Sequence, residues 1–401
     1  MLFRSRKDHP LFAQRIRQST RRGAQVFSLN AVHDDWGMTL AGRLTAAPSA
    51  WLNQLADVAR HVAGAKGVAA PADSHSNDAA KAVADALLSG AHKAILLGNV
   101  AAQHPQASAL LALANWIGEQ TGASVGYFSA AANSVGAQLV NALPGEGGLN
   151  AGQMLSQPMK ALILLDIEPA LDAADAAAAT TALAGSGLVV ALTSFKDAQV
   201  PNADVLLPIA PFTETAGSFV NAEGRVQSFQ GAVPALGDSR PAWKVLRVLG
   251  NLLGLAGFDH ESVDEVRAEA LGDLAAVPGR LNNRTGTAPS TNAVATAAGG
   301  LERIADVPIY SADALLRRAM SLQLSADARA PQVGVPTALW QQLDLKPGDK
   351  LRVVQGQASA VLPAREEATL AANTDRVPAG HADTATLGAM FGGLRVEKVE
   401  S

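Results

Sequence analysis

Short, wholly apolar runs alternate with amphipathic segments through residues 6–272. The apolar runs are too short for buried helices, and they predict strands that are covered on both faces. These predicted strands cover residues 24–29, 92–98, 160–166, 187–195 and 203–209. Helices with one apolar stripe are predicted at residues 48–64, 78–90, 106–120, 170–184 and 241–253. The alternation indicates an α/β fold with mostly parallel sheets and helices on both faces.

The pattern changes in the last part of the chain. Residues 273–310 contain few large apolar side chains and many Thr, Ser and Asn, which is typical of a linker. Residues 311–401 then contain short strands joined by tight turns such as Lys346-Pro-Gly-Asp349. We therefore predict an α/β region at 6–272, a linker at 273–310 and a small β-rich module at 311–401.

Residues 211–227, PFTETAGSFVNAEGRVQ, form the most distinctive stretch of the sequence. Two β-prone pieces flank Asn221-Ala-Glu-Gly224, a turn whose glycine tolerates a positive φ. This predicts a hairpin with Glu223 and Arg225 beside its tip. A surface hairpin with solvated charges accounts for the same spacing without any function.

Composition excludes several classes of function. The 401 residues include no cysteine, so disulfides, thiolate zinc sites, cysteine nucleophiles and cysteine-bound iron–sulfur clusters are excluded within this chain. The net charge of −4 and the lack of a basic stripe give no reason to expect a nucleic-acid partner. The uncharged windows 123–145 and 176–195 consist mainly of small residues and contain turn signals, so no membrane span is expected.

Familiar catalytic and nucleotide-binding motifs do not lie in the right context. Neither a dinucleotide fingerprint nor a P-loop is present. Gly122-Ala-Ser-Val-Gly126 has the letters of a nucleophile elbow, but a helix precedes it and a strand follows, which is the reverse of the required order. Asp166 and Glu168 follow a predicted strand without a nearby histidine, so we interpret them as capping or solvated carboxylates rather than as an acid–base pair.

Several segments, taken in order, resemble the molybdopterin oxidoreductase superfamily. In that superfamily a GT-x-x-N-x-E-G-R-V-Q segment precedes a proline-led helix, as residues 211–227 precede Pro241. Residues 6–17 (RKDHPLFAQRIR), 132–136 (ANSVG) and 343–353 (LDLKPGDKLRV) continue the resemblance. Within the superfamily, the segments are most similar to the large iron–sulfur subunit, or G subunit, of bacterial NADH-quinone oxidoreductase, respiratory complex I.

This resemblance implies a structural role in the peripheral arm of an electron-transfer complex. It implies no catalytic residue, no metal ligand and no cofactor in this chain. It also implies that the family's 2Fe-2S and 4Fe-4S clusters belong to an N-terminal region that we expect to be missing. The expected partners are other peripheral-arm subunits, and the expected location is the cytoplasmic side of the bacterial plasma membrane, through the complex. The hairpin residues that carry the motif are Glu214, Thr215, Gly217, Asn221, Glu223, Gly224, Arg225 and Gln227.

Two alternatives remain open from the sequence. In the first, the chain is an active molybdopterin-dependent oxidoreductase relative whose pterin contacts include Glu223, Arg225, Gly380 and His381. In the second, it is a free-standing α/β protein that binds a sugar or a nucleotide. The C-terminal module resembles a molybdopterin dinucleotide-binding β-barrel. This resemblance fits both the first alternative and the structural role in the G subunit.

Overall fold

The computed structural model describes residues 5–129, 131–197, 200, 202–290 and 300–400. Part of the predicted linker, residues 291–299, lies outside this described part. The α-helices are α1 (Ser5–Asp8), α2 (Pro10–Arg21), α3 (Trp51–Lys66), α4 (Asp78–Ser89), α5 (Asn99–Ala102), α6 (Ala107–Thr121), α7 (Ser134–Leu139), α8 (Ala151–Met154), α9 (Pro169–Asp172), α10 (Ala176–Ala184), α11 (Ala242–Leu252), α12 (Val263–Leu271), α13 (Ala314–Arg318), α14 (Met320–Gln323) and α15 (Thr337–Gln342).

The strands form three small parallel sheets, one hairpin and one closed barrel. They are β1 (Phe27–Asn30), β2 (Gly42–Thr45), β3 (Ala94–Leu97), β4 (Ser124–Tyr127), β5 (Leu162–Leu165), β6 (Val189–Thr193), β7 (Val205–Pro208), β8 (Gly217–Val220), β9 (Val226–Phe229), β10 (Leu301–Ile304), β11 (Val333–Val335), β12 (Lys350–Gln355), β13 (Ala358–Glu366), β14 (Thr374–Arg376) and β15 (Phe391–Lys398). The predicted α/β class with mostly parallel sheets and a C-terminal barrel is confirmed. Of the helices described, none combines the length and the apolar composition that a membrane crossing requires.

The N-terminal unit, residues 5–129, contains two of the parallel sheets. Strand β1 pairs with β2 and β3 pairs with β4, both in parallel. Helices α3, α4 and α6 pack on these strands because their apolar stripes are buried. Helix α6 ends at Gly122, whose φ of 76° is the left-handed conformation that closes many helices, and β4 begins two residues later.

The core of the N-terminal unit continues into the barrel. Trp51 is fully buried, and its indole nitrogen donates a hydrogen bond to the carbonyl of Ala46 (2.9 Å). Its ring meets the edge of Phe391, on β15, with 6.2 Å between ring centroids. Ile304, on β10, belongs to the same apolar cluster. The first unit and the barrel are therefore held together by shared apolar burial.

The middle unit, residues 131–290, contains the third parallel sheet, in the order β5-β6-β7. Leu162 and Leu164 on β5, Val189 and Ala191 on β6, and Leu183 on α10 form its core. The opposite face is more open, since Ile163 is 52% and Leu165 is 46% exposed. The three strands run in the same direction, so their carboxyl ends meet at one edge of the sheet.

The barrel is closed by six strands in the order β10-β14-β11-β13-β12-β15. Its first strand, β10, pairs in parallel with β14 and antiparallel with β15, which closes the ring. Strand β10 lies inside the range predicted as a linker, so the barrel begins before residue 311. A closed ring has no exposed strand edge, and this barrel needs β10 to close.

Gly118 shows how tightly α6 packs on the first unit. A Cβ at this position would lie 2.6 Å from a methyl carbon of Val125 and 2.9 Å from the carbonyl oxygen of Ala123. We expect Gly118→Ala to lower the free energy of unfolding by about 1–3 kcal/mol, because the backbone at Ala123 must move. Urea denaturation of the purified chain measures the change.

The matched control for this prediction is Gly64→Ala in α3. Gly64 is exposed, and no atom lies within 4 Å of the place that a Cβ would occupy. Removing a helical glycine there should stabilise the chain by about 0.5–1 kcal/mol. Equal stabilisation by both substitutions would contradict the packing described for α6.

Candidate functional site

The carboxyl edge of the three-stranded sheet is the candidate site, because ligands of open α/β sheets bind at such edges. Asp166 and Glu168 follow β5, and Ser194 follows β6. Asp166 has a φ of 51°, a left-handed conformation that is uncommon outside glycine. Its backbone N–H donates to Leu192 O (2.8 Å), and its carboxylate accepts the backbone N–H of Ser194. The sheet thus ends in a constrained acidic turn.

Glu168 is buried at this edge, with only 1% of the residue exposed. One carboxylate oxygen accepts from Arg317 Nη2 at 2.6 Å, and the other accepts from Arg318 Nη2 at 2.8 Å. The sequence interpretation of Glu168 as a capping or solvated carboxylate was wrong. It precedes α9 but makes no side-chain cap, because both oxygens are directed to the two guanidinium groups.

Both arginines come from the last turn of α13, which precedes the barrel's second strand. Asp313 caps this helix by accepting the backbone N–H of Leu316 at 2.8 Å. Arg317 also pairs with Asp172 (2.8 Å) and donates to the carbonyl of Ser311 (2.9 Å). We call Glu168, Asp172, Arg317 and Arg318 the junction cluster, since it joins the sheet edge to the chain that enters the barrel.

Arg318 extends the cluster toward solvent. Its guanidinium lies 4.5 Å from the centroid of the Phe195 ring, and its Nε donates to Asp197 at 3.0 Å. The Asp197 side chain is 79% exposed. An exposed ion pair of this kind contributes little, so the inner contacts to Glu168 hold Arg318 in place.

The junction cluster lies in a negative electrostatic environment. Burial raises the pKa of Asp166 above its ordinary value, and the nearby Asp313 and Asp172 raise it further. Burial alone would lower the pKa of Arg317, but hydrogen bonds and charges from Asp172 and Glu168 outweigh it and raise that pKa. The charged residues on the segments that meet at this edge carry more negative than positive charge: Asp166, Glu168, Asp172, Asp197 and Asp313 against Lys196, Arg317 and Arg318.

The barrel also reaches this edge. Gly380 has a φ of 72°, and a Cβ there would lie 3.0 Å from a methyl carbon of Val307 and 3.5 Å from Leu171 O. Met390 N donates to the carbonyl of Ala174 at 3.2 Å. His381 begins a short 3₁₀ turn, where its Nδ1 accepts the backbone N–H of Asp383 at 3.1 Å. Two of the four residues proposed as pterin contacts, Gly380 and His381, are therefore in or next to the loop that covers α9.

The other two lie on the hairpin of β8 and β9. The turn is formed by Asn221, whose side-chain oxygen accepts the backbone N–H groups of Glu223 (3.0 Å) and Arg225 (2.9 Å). Gly224 has a φ of 81° and packs against Leu281. The side chains of Glu223 and Arg225 are exposed, and within the described ranges no hydrogen bond or ion pair joins them to Gly380 or His381.

The remaining hairpin residues have local roles. Glu214 accepts the backbone N–H of Leu236 at 2.9 Å, and Thr215 Oγ1 donates to the carbonyl of Ala216. A Cβ on Gly217 would lie 2.6 Å from the Phe229 ring, so that position admits only glycine without a shift. Gln227 is exposed. These contacts describe a folded hairpin and assign it no chemistry.

Sequence reasoning missed the arginines that dominate the site. The only local signal was the adjacent pair Arg317-Arg318 after the capping Asp313. Among the residues that the structure describes, no group of three or more His, Asp or Glu side chains is arranged to hold a metal ion.

Comparison with known proteins places the fold in a family. The profile described as "Molybdopterin oxidoreductase" matches residues 5–252, more than half of the chain. The chain belongs to the molybdopterin oxidoreductase family. Its fold is similar to acetylene hydratase from Pelobacter acetylenicus, with a TM-score of 0.66 at 12% identity over 97% of this chain and 75% of that chain.

Curated relatives match shorter parts of the chain. The NADH-quinone oxidoreductase G subunit of Mycobacterium bovis (strain ATCC BAA-935 / AF2122/97) is 37% identical over 141 residues, 34% of this chain and 17% of that protein. YrhE of Bacillus subtilis (strain 168), named as a formate dehydrogenase candidate, is 32% identical over 131 residues, 32% of this chain and 13% of that protein. The matched segment is thus less than a fifth of either relative's length.

The cofactor that the family name implies does not fit the sheet edge of this molybdopterin oxidoreductase chain. A pterin cofactor carries phosphate, which needs free guanidinium, ammonium or backbone N–H donors. Arg317 and Arg318 already bind carboxylates, and a phosphate would add negative charge next to Glu168, Asp172 and Asp166. The side chains at this edge can hold two chain segments together, but they do not form an anion site.

The junction cluster predicts a large effect of neutralising Glu168. In Glu168→Gln, Arg318 loses its main counter-charge and Arg317 keeps only Asp172, so stability should fall by about 3–5 kcal/mol. Urea denaturation of the whole chain measures this. The matched control is Asp197→Asn, which removes an exposed partner of the same Arg318 and should cost less than about 1 kcal/mol. Similar losses in both variants would contradict the assignment of Glu168 as the central residue.

Proposed function

We propose that this chain is a cofactor-free, molybdopterin-oxidoreductase-like part of the large iron–sulfur subunit, the G subunit, of a bacterial NADH-quinone oxidoreductase. In this role it is a structural element of the peripheral arm, and the iron–sulfur clusters of the complex lie in other regions. Its partners are neighbouring peripheral-arm subunits, through which it is held at the cytoplasmic side of the plasma membrane. The chain does not catalyse a reaction alone.

The observation that carries this proposal is the electrostatic character of the sheet edge. An enzyme that keeps an anionic pterin cofactor needs uncompensated donors there. In this chain the donors are bound to Glu168 and Asp172, with excess negative charge around them. The lack of cysteine in all 401 residues supports the same role, since the chain cannot bind a cysteine-ligated cluster.

The distribution of exposed apolar side chains supports a role in an assembly. Large apolar patches on a protein surface often mark protein–protein contacts. Most of the exposed large apolar side chains among the described residues lie in the middle unit: Val140, Leu143, Ile163, Leu165, Ile167, Leu188, Val205, Leu206, Phe212, Phe219, Val233, Leu236, Val248, Leu252, Leu253, Leu255 and Leu274. We call this set the middle apolar surface.

The second candidate is an active molybdopterin-dependent oxidoreductase. It is favoured by the 43% identity over 67 residues to SAUSA300_2258 of Staphylococcus aureus (strain USA300), which is also named as a formate dehydrogenase candidate. The matched segment covers 16% of this chain and 7% of that protein. Under this alternative, Gly380 and His381 would face the pterin, and Glu223 and Arg225 would have to approach them.

Metal and pterin analysis separates the two candidates. The proposal predicts that the chain, purified from cells that synthesise the cofactor, contains no stoichiometric molybdenum or tungsten and releases no fluorescent pterin on oxidation. A family member that retains its cofactor, expressed in the same cells, serves as the positive control. A stoichiometric metal and pterin signal from this chain would overturn the scaffold proposal.

Assembly is tested on the middle apolar surface. Leu252 is 80% exposed near the C-terminal end of α11, so Leu252→Asp should leave the fold intact while introducing a charge into a contact. We expect co-purification of the tagged chain with NADH-oxidising complex to fall by about tenfold or more, as for a central interface residue. The control Val361→Asp places the same charge on the outer face of the barrel, where Val361 is 44% exposed. Loss of co-purification in the control alone, or in neither variant, would contradict the assignment of the surface.

A further inference from the structure

Among the described residues, two charged side chains accompany the apolar side chains that fill the barrel. The apolar side chains that fill it are Val333, Val335, Leu345, Leu351, Val353, Ala360, Leu362, Ala364, Val377, Leu387 and Leu394. Asp375 lies two positions before Val377 on the same strand run, and alternate strand residues share a face. Arg303 lies two positions after Leu301, which packs on the same core. Asp375 and Arg303 therefore both point into the barrel.

These two residues are neighbours in the sheet but do not form an ion pair. Arg303 on β10 and Asp375 on β14 are register partners in a parallel pair, where adjacent strands lie about 4.8 Å apart. Arg303 is 1% exposed and Asp375 is 0% exposed. Neither carboxylate oxygen of Asp375 has a hydrogen-bond partner in the described part of the chain.

Arg303 instead binds the segment that follows β14. Its guanidinium donates to the carbonyls of Val377 (3.3 Å), Pro378 (3.2 Å), Gly388 (2.9 Å) and Ala389 (3.2 Å), and to Gln355 Oε1 (3.0 Å). We call residues 377–390 the junction loop. This loop includes Gly380, beside Leu171, and Met390, which donates to Ala174. Arg303 thus fixes the loop that covers the sheet edge.

An unpaired, ionised carboxylate in such a place costs several kcal/mol, so the observed arrangement suits a protonated Asp375. Burial raises the pKa of Asp375 to about 7, whereas burial lowers the pKa of Arg303 to about 10. Arg303 stays charged near neutral pH while Asp375 changes charge. The two side chains are attracted to each other only when Asp375 is ionised.

Among the charged residues on the strands next to β14, Arg303 is the register partner of Asp375. The neighbouring strand β11 carries no charge, since its three residues are Val333, Gly334 and Val335. Arg376 points to the other side of β14, where it binds Asp34, Asp306 and Glu367.

The remaining charged groups act elsewhere. On β10, Glu302 is the register partner of Thr374 and accepts hydrogen bonds from Ser49. Asp175 raises the pKa of Arg303 by its charge and lies on the middle-unit side of the junction loop, near Gly388.

We propose that Asp375 is a proton-controlled switch for the junction loop. When Asp375 loses its proton, the Arg303 guanidinium turns from the loop carbonyls to the new carboxylate. The loop then loses its four hydrogen bonds from Arg303 and separates more readily from α9 and the junction cluster. The switch does not depend on the assembly that contains the chain, since every group it uses belongs to the barrel.

The direction of the pH effect follows from linkage. The folded-state pKa of Asp375 lies above its ordinary value, so the closed state binds a proton that the open state releases. The closed loop loses stability as the pH rises from the ordinary pKa of an aspartate toward about 7, and the loss is complete above about pH 7, where Asp375 is ionised in both states.

Amide hydrogen exchange of the full chain, followed by mass spectrometry between about pH 5 and pH 8.5, tests the switch. After correction for the intrinsic exchange rate, protection of residues 378–390 should fall by up to about tenfold per pH unit below about pH 7 and level off above it, while protection of β12 and β13 stays constant. A loop protection factor that does not change with pH would overturn the proposal.

Variants identify the group responsible. Asp375→Asn keeps the shape without the ionisation and should leave the junction loop protected at every pH. Glu397→Gln, an exposed carboxylate on β15 of the same barrel, should keep the wild-type pH response. A pH response that survives in Asp375→Asn would overturn the proposal.

A measurement on the unsubstituted chain tests the switch even if the Asp375→Asn variant does not fold. Carbon-13 NMR of labelled aspartate carboxyl groups should show one carboxyl that titrates near pH 7, with its shift change coupled to that of the Arg303 guanidinium. If every aspartate carboxyl is already ionised at about pH 6, the switch does not exist.

Discussion

The buried carboxylate of Glu168 constrains the whole junction between the sheet and the barrel. A charge with 1% exposure must stay paired, and its two oxygens are matched to two guanidinium groups at 2.6 and 2.8 Å. Because both groups come from α13, the position of that helix is set by the sheet edge. The chain that leads from α13 into the barrel cannot move away without exposing or unpairing the buried charge.

Buried arginines perform the same task at the other contacts between regions. Arg376 on β14 binds Asp34 of the N-terminal unit at 3.1 Å and also Asp306 and Glu367 of the barrel region. Arg303 binds the junction loop through backbone carbonyls. The forked guanidinium group suits arginine to this role, since it can donate hydrogen bonds to acceptors on several segments at once. In this chain these arginines are used for internal contacts.

Local physical chemistry allowed much of the fold to be predicted. The hairpin turn follows from Asn221 and Gly224, because an amide side chain that accepts backbone N–H groups and a glycine at positive φ specify it without help from the rest of the chain. Strands β3, β5 and β6 were visible as short apolar runs bounded by turn residues, although one face of β5 is open in the structure, with Ile163 52% and Leu165 46% exposed. The short β2 was not visible, because Gly42–Thr45 becomes a strand only by pairing with β1.

The contacts that define the candidate site are non-local and had no sequence signal. Arg317 and Glu168 are 149 positions apart in the sequence. Strand β10 pairs with β15, and most of the C-terminal module lies between them in the sequence. A carboxylate after a strand is usually solvated, so Glu168 gave no reason to expect burial; only the position of α13 in three dimensions makes it a paired charge. Asp375 and Arg303 were equally hidden, since a short polar sequence such as Thr374-Asp-Arg376 is more typical of a turn than of a buried barrel strand.

The proposed absence of a pterin has a consequence for stability. A cofactor that binds only the native state stabilises it by an amount that grows with the logarithm of its affinity. A chain that functions without the cofactor must supply the same stabilisation from its own side chains. The shared Trp51–Phe391 core, the Arg376 cluster and the junction cluster each join two regions, and together they hold the edge at which the family's ligand would otherwise be needed. In the proposed scaffold role, these internal contacts close the fold, and at the sheet edge the two arginines that do so, Arg317 and Arg318, are already bound to carboxylates.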